Sequence, residues 1–166
     1  MISKFLLPLV LIASLATPAL AQQDTAPSET APETNAERII PEGWENTYNR
    51  FHYAPAVRAG DTIYLSGIVA GLAGEENENN PEDLEAAFDR CFEQLKIVLA
   101  EAGADFSHVV EMTTFHTELI HQITPFTTSK DKFMKEPYPA WTAIDVDRLY
   151  PERGLVEIKL IAYVGD

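Results

Sequence analysis

The sequence predicts an α/β domain with one sheet face covered by two helices, and three observations lead there. A long apolar periodicity of helical spacing runs from Pro81 to about Gly103, a second helix-like segment lies downstream, and β-rich segments precede, separate and follow the two. The order reads β-β-α-β-α-β-β, and strands joined by helices of this length form a layer of helix on sheet. The other sheet face must find its own cover, and a partner subunit would serve.

The first well-marked strand is Thr62-Ile63-Tyr64-Leu65, preceded by the turn signal Ala59-Gly60-Asp61. Arg50 to Val57 is expected to pair with it as a hairpin. Gly67, Gly71 and Gly74 follow, then the polar loop Glu75 to Asn80. Pro81 opens the clearest helix, with Asn80 as N-cap, Pro81 at N1, and Glu82, Asp83 and Glu85 at the positive end of the dipole. Its apolar face consists of Leu84, Ala87, Phe88, Cys91, Phe92, Leu95, Val98 and Leu99. Val109 to Thr117 reads as a strand. Thr124 before Pro125 predicts a helix N-terminus, with the helix running to about Lys135. Pro137 and Pro139 keep the next stretch extended, and Ala140 to Val146 and Leu155 to Val164 are the closing strands.

The N-terminus carries different information. Lys4, the apolar run Phe5 to Ala16, the break at Pro18 and the small-x-small Ala19-Leu20-Ala21 form a secretory signal over 1–21, cleaved after Ala21. The run is short for a membrane span, so no stable membrane insertion is expected after cleavage and the mature chain is expected to be periplasmic or secreted. Residues 22–37 hold no large apolar side chain and read as a disordered leader; the domain is expected over 38–166. The chain carries 26 acidic and 12 basic residues, a net charge of −14, which argues against nucleic-acid binding. A single cysteine, Cys91, excludes an internal disulfide framework.

Local motifs carry no chemistry by themselves. His116 and His121 are five apart with Glu118 displaced from the zinc-helix pattern, and His108 lies too far along the strand to chelate with His116, so no metal is expected. Ser66 lacks the G-x-S-x-G setting, Cys91 sits on an apolar face, and Gly67, Gly71 and Gly74 do not form a dinucleotide loop.

A pattern spanning the domain is more informative. Tyr53 with Val57-Arg-Ala-Gly-Asp-Thr-Ile-Tyr-Leu-Ser-Gly67, then Leu95-Lys-Ile-Val-Leu-Ala-Glu-Ala-Gly103, Val109-Val-Glu-Met-Thr-Thr-Phe115, and Tyr138-Pro-Ala-Trp-Thr142 leading into Leu155-Val-Glu-Ile-Lys-Leu-Ile-Ala162 occur in a distinctive order. This resembles the Rid superfamily, the YjgF-like reactive intermediate deaminases, over about residues 48–164. The resemblance implies a chorismate-mutase-like fold and a homotrimer whose sheets form a central barrel, with small-molecule clefts between subunits. It implies hydrolysis of imines and enamines such as 2-iminobutanoate to the 2-oxo acid and ammonia, without metal or cofactor, although other members lack this activity.

By the same resemblance, Tyr53 is the cleft tyrosine, Gly67 presents backbone to the ligand, Glu157 positions the attacking water, and Ala143 supplies a backbone contact. The departure is Trp141, which stands where deaminating members carry arginine, and Ile68 follows Gly67 where glutamine is usual. A guanidinium holds a carboxylate through two parallel charged hydrogen bonds; an indole has one N–H, no charge and a large apolar face. Arg58, Arg148 and Arg153 are the arginines considered as replacements. Three readings follow: an atypical imine/enamine deaminase weak or inactive on 2-iminobutanoate, a non-catalytic binder of a small apolar or aromatic ligand with Trp141 as a wall, or a structural, holdase-like trimer.

Overall fold

The structure, a computed structural model, describes residues 34–166. The expected signal segment and most of the leader fall outside the described residues. The domain is built from β1 (Glu37–Ile39), α1 (Glu45–Phe51), β2 (Ala56–Ala59), β3 (Thr62–Leu65), β4 (Ile68–Gly71), α2 (Pro81–Glu101), β5 (Val109–His116), α3 (Leu119–Phe133), β6 (Ala140–Asp145) and β7 (Gly154–Tyr163).

The seven strands form one mixed sheet in the order β1-β2-β3-β7-β5-β6, with β4 also paired to β7. Only β5 and β6 run parallel; α3 and the segment after it provide the crossover that parallel neighbours require. β3 and β4 lie along the same edge of β7, interrupted at Ser66-Gly67. Ser66 secures that break by donating its amide to Pro55 O (2.9 Å) and its hydroxyl to Ala54 O (2.7 Å).

α2 follows from its sequence. The Asn80 side chain accepts from the Glu82 amide, Pro81 occupies the first turn, and all eight apolar-face residues are buried. They pack on Ile63, Leu65, Ala70, Met112, Val156, Ile158, Leu160 and Ala162 from the sheet and Phe126 from α3. Each fully buried aliphatic or aromatic side chain contributes about 1.5–3 kcal/mol, so this helix–sheet layer holds the domain together. Phe126 sits at its centre, its ring 5.5 Å from Phe88, 5.8 Å from Phe92 and 5.1 Å from His116.

Three expectations need correction. α3 begins at Leu119, and Pro125 lies inside it. Its start is fixed by Asp145 at the end of β6, whose carboxylate accepts from the Leu119 amide (2.8 Å). The hairpin arm facing β3 is Ala56–Ala59, whereas Arg50 and Phe51 belong to α1. The glycine-flanked stretch after β3 is strand β4, and β1 adds a further strand beyond β2.

β7 separates the two faces. Val156, Ile158, Leu160 and Ala162 point to the helices and are buried, while Glu157, Lys159, Ile161 and Tyr163 alternate onto the open face. That face also presents Tyr64 and Ile144, both large and exposed.

Candidate functional site

The expected site residues fall into two groups. Glu157 lies on β7 between Val69 of β4 and Phe115 of β5. Its side chain crosses directly over Gly67. A Cβ at that position would collide with the carboxylate, meeting Cδ at 2.6 Å and Cγ at 2.8 Å. Glycine at the β3–β4 break is therefore what leaves room for the acid. Tyr53, half exposed, shares with Gly67 a shallow cleft of about 430 Å³, also lined by Trp44, Thr47, Val69 and Gln94. Tyr53, Gly67 and Glu157 thus gather at one edge of β7.

The charge of Glu157 reaches beneath the sheet. Cys91 is buried under β4, its thiol 3.4 Å from Ile68 O. Burial, reinforced by the Glu157 carboxylate, pushes that thiol up to about 12. It is a core side chain, in keeping with its place on the apolar face of α2.

Trp141 and Ala143 stand elsewhere. They lie on β6, the outer strand, opposite Met112 and Thr114 of β5. β6 is two strands from β7, about 10 Å at the usual ladder spacing. Trp141 faces α3, its ring 5.7 Å from that of Phe126, whereas Glu157 is on the other face. A single chain therefore does not bring Trp141 and Ala143 to Glu157.

Trp141 is held by a buried polar chain that the sequence reading missed. Its indole N–H donates to Thr114 Oγ1 (3.0 Å), and Thr114 lies 2.9 Å from His116 Nε2. His116 Nδ1 is 3.2 Å from Gln122 Oε1, which can only accept, so Nδ1 carries the proton and Nε2 accepts from the threonine hydroxyl. Gln122 Nε2 donates to Thr117 Oγ1 (3.1 Å), which donates to Leu155 O (3.1 Å). Burial lowers the His116 pKa and holds the ring neutral, against the opposing effects of the hydrogen bond it donates to Gln122 and of the charge of Asp145. The indole donor is thus used inward, and what Trp141 offers outward is a ring face.

Two of the other histidines, His121 and His108, have separate partners. His121 Nε2 lies 3.0 Å from Glu78 O, and His108 Nδ1 lies 3.0 Å from Asp105. None of the three arginines considered above is among the groups at Trp141 in the described residues. Arg58 donates to Gly60 O, Arg153 donates to Gly74 O and Glu76 O, and Arg148 lines a depression with Arg153. The cation beside Trp141 is Lys130 of α3, whose ammonium lies 5.7 Å from the Trp141 ring centroid and 5.5 Å from that of Tyr138. Helical phase places Lys130 one turn after Phe126, but its approach to β6 depends on the crossover.

A mixed sheet carrying two helices on one face is an α/β domain of the YjgF-like fold. The family model described as Endoribonuclease L-PSP matches residues 46–164, and the chain belongs to that family, in the Rid superfamily. It is similar to the RutC family protein YjgH of Escherichia coli, with 34% identity over 131 residues, covering 77% of this chain and 95% of the relative. A solved structure of protein YJGH superposes with a TM-score of 0.62 at 29% identity, covering 78% of this chain and 97% of that one. A 2-iminobutanoate/2-iminopropanoate deaminase of Dermatophagoides farinae is 30% identical over 115 residues, covering 68% of this chain and 85% of the relative.

Proposed function

We propose that the protein is an exported, trimeric member of this family with small-molecule clefts between subunits, and that its chemistry is hydrolysis of imines or enamines other than 2-iminobutanoate. The observation that carries this reading is the Glu157 carboxylate lying over Gly67 beside Tyr53. In the proposed step Glu157 takes a proton from water as the oxygen bonds to the imine carbon. That proton passes to nitrogen to give a carbinolamine, whose hydroxyl proton then moves to nitrogen through Glu157 as the C–N bond breaks, leaving the carbonyl product and ammonia. Association in threes is part of this reading, and two features of the sheet favour it. It would cover the open face bearing Tyr64, Ile144 and Tyr163, and it would allow the Trp141 edge of one subunit to approach the Glu157 edge of another.

Release of 2-oxobutanoate from freshly generated 2-iminobutanoate tests the substrate restriction. Trp141 lacks the two parallel N–H donors with which an arginine holds a carboxylate, so turnover is expected to be absent or very weak, and a rate matching an arginine-bearing relative would overturn it. A Trp141→Arg change is expected to raise that rate.

A second reading, binding without catalysis, is favoured by the inward commitment of the Trp141 N–H. Under it, a panel of imines is left unhydrolysed while an aromatic ligand still binds. Nucleic acid is a poor partner under either reading, because a chain of net charge −14 repels a phosphate backbone.

A further inference from the structure

We infer that Lys130, Trp141 and Tyr138 together form a binding surface for a planar carboxylate, with Lys130 as the residue that selects the charge. The inference rests on the cleft reading above, and it names the ligand class that this half of the cleft takes.

The Lys130 side chain is only 14% exposed, and its ammonium lies within cation–π range of two aromatic rings. Aromatic faces hold a cation in place without neutralising it. Its formal counter-charge is the neighbouring Asp131, 64% exposed and therefore strongly solvated. One N–H bond to Asp131 leaves two ammonium donors for another acceptor.

The rings beside it are fixed for different reasons. Trp141 is anchored through Thr114 and His116 on one side and leans on Phe126 on the other, yet it remains 37% exposed. Tyr138, at 62% exposed, lies between Pro137 and Pro139, whose rings restrict the backbone around it. Because the indole donor is already used, the outward surface recognises by shape and charge: a flat apolar face beside a point cation. A neutral arene gains only the face, and an aliphatic acid gains only the charge. A planar aromatic carboxylate gains both.

Calorimetric titration of the full chain with benzoate, benzamide and propionate tests this. Benzoate is expected to bind at least tenfold more tightly than either of the others. Lys130→Met is expected to bring benzoate to within about twofold of benzamide, while Lys130→Arg keeps most of the preference. If Lys130→Met loses its circular dichroism signature, Lys130→Gln is the variant to read. Equal binding of benzoate and benzamide by the unsubstituted protein, no binding of benzoate, or a preference that survives loss of the Lys130 charge overturns the inference. The hydrolysis assay separates this from the reading beneath it. Lys130-dependent benzoate binding with no imine hydrolysed removes the catalytic reading alone, and hydrolysis with Lys130-independent binding removes the inference alone.

Discussion

The Glu157 edge and the Trp141 edge of this sheet are built on opposite principles. At Glu157 the backbone makes room: Gly67, at the break between β3 and β4, lets a carboxylate lie where any side chain would displace it. At Trp141 side chains do the positioning. An indole is pinned by a relay of hydroxyl, imidazole and amide and backed by the aromatic core. The first arrangement leaves an acid half-buried and available; the second fixes a large ring and uses its polar atom inward. One edge suits proton chemistry, and the other suits recognition.

Substitutions at each edge test this contrast. Phe126→Ala should have the largest effect, costing about 3–5 kcal/mol in chemical denaturation, because it empties the core and removes the backing of Trp141. Gly67→Ala should act almost entirely on the other edge. The atoms it meets belong to a side chain that can move, so stability should fall by only about 1 kcal/mol. Any imine hydrolysis should drop by roughly 100-fold as the acid is displaced. A stability loss comparable to that of Phe126→Ala would show that Gly67 is part of the scaffold.

Thr114→Val should cost about 2 kcal/mol, since it leaves the Trp141 N–H and His116 Nε2 without their shared partner. The expected signature is a shift in Trp141 fluorescence with Glu157-dependent chemistry retained. A pH titration of stability probes the same relay more gently. The folded His116 pKa is depressed below its ordinary 6.5, so the unfolded chain binds more protons in the window beneath 6.5. Stability should therefore fall as pH drops from about 6.5 toward the folded value, and His116→Gln should flatten that slope.

The smallest effect is expected at Glu76. The Arg90 guanidinium, with the Ala73 amide, holds its carboxyl at about 2 against an ordinary 4.5. Its contribution is present above 4.5 and lost as pH falls through 2, but the pair is solvated and salt should erase most of it. Glu76→Gln should leave both edges unchanged.

The sequence made α2 readable to the residue because its signals are local: a cap, a proline at N1 and a periodic apolar face. α3 was readable as a helix but not at its start, because Asp145, 26 residues downstream, caps Leu119. β4 was hidden by Gly67 and Gly71, which read as loop until β7 is laid beside them. Tyr53, Gly67 and Glu157 were legible through the order of family motifs, and the geometry gathers them at one edge. That Trp141 faces away from Glu157 was not legible, since it depends on the register of β6 against β5. Lys130 escaped notice because nothing in a helix sequence indicates which aromatic ring, arriving from another strand, will lie beside it.

The burial of Cys91 has a consequence for durability. Its thiol lies beneath β4, with its ionisation suppressed by the core and by Glu157, so almost no thiolate exists at neutral pH to attack a disulfide or meet an oxidant. As the only cysteine in the chain, it could otherwise cross-link one copy to another. With that route closed, the folded protein should stay free of sulfur cross-links in an oxidising medium and require no reductant to persist there.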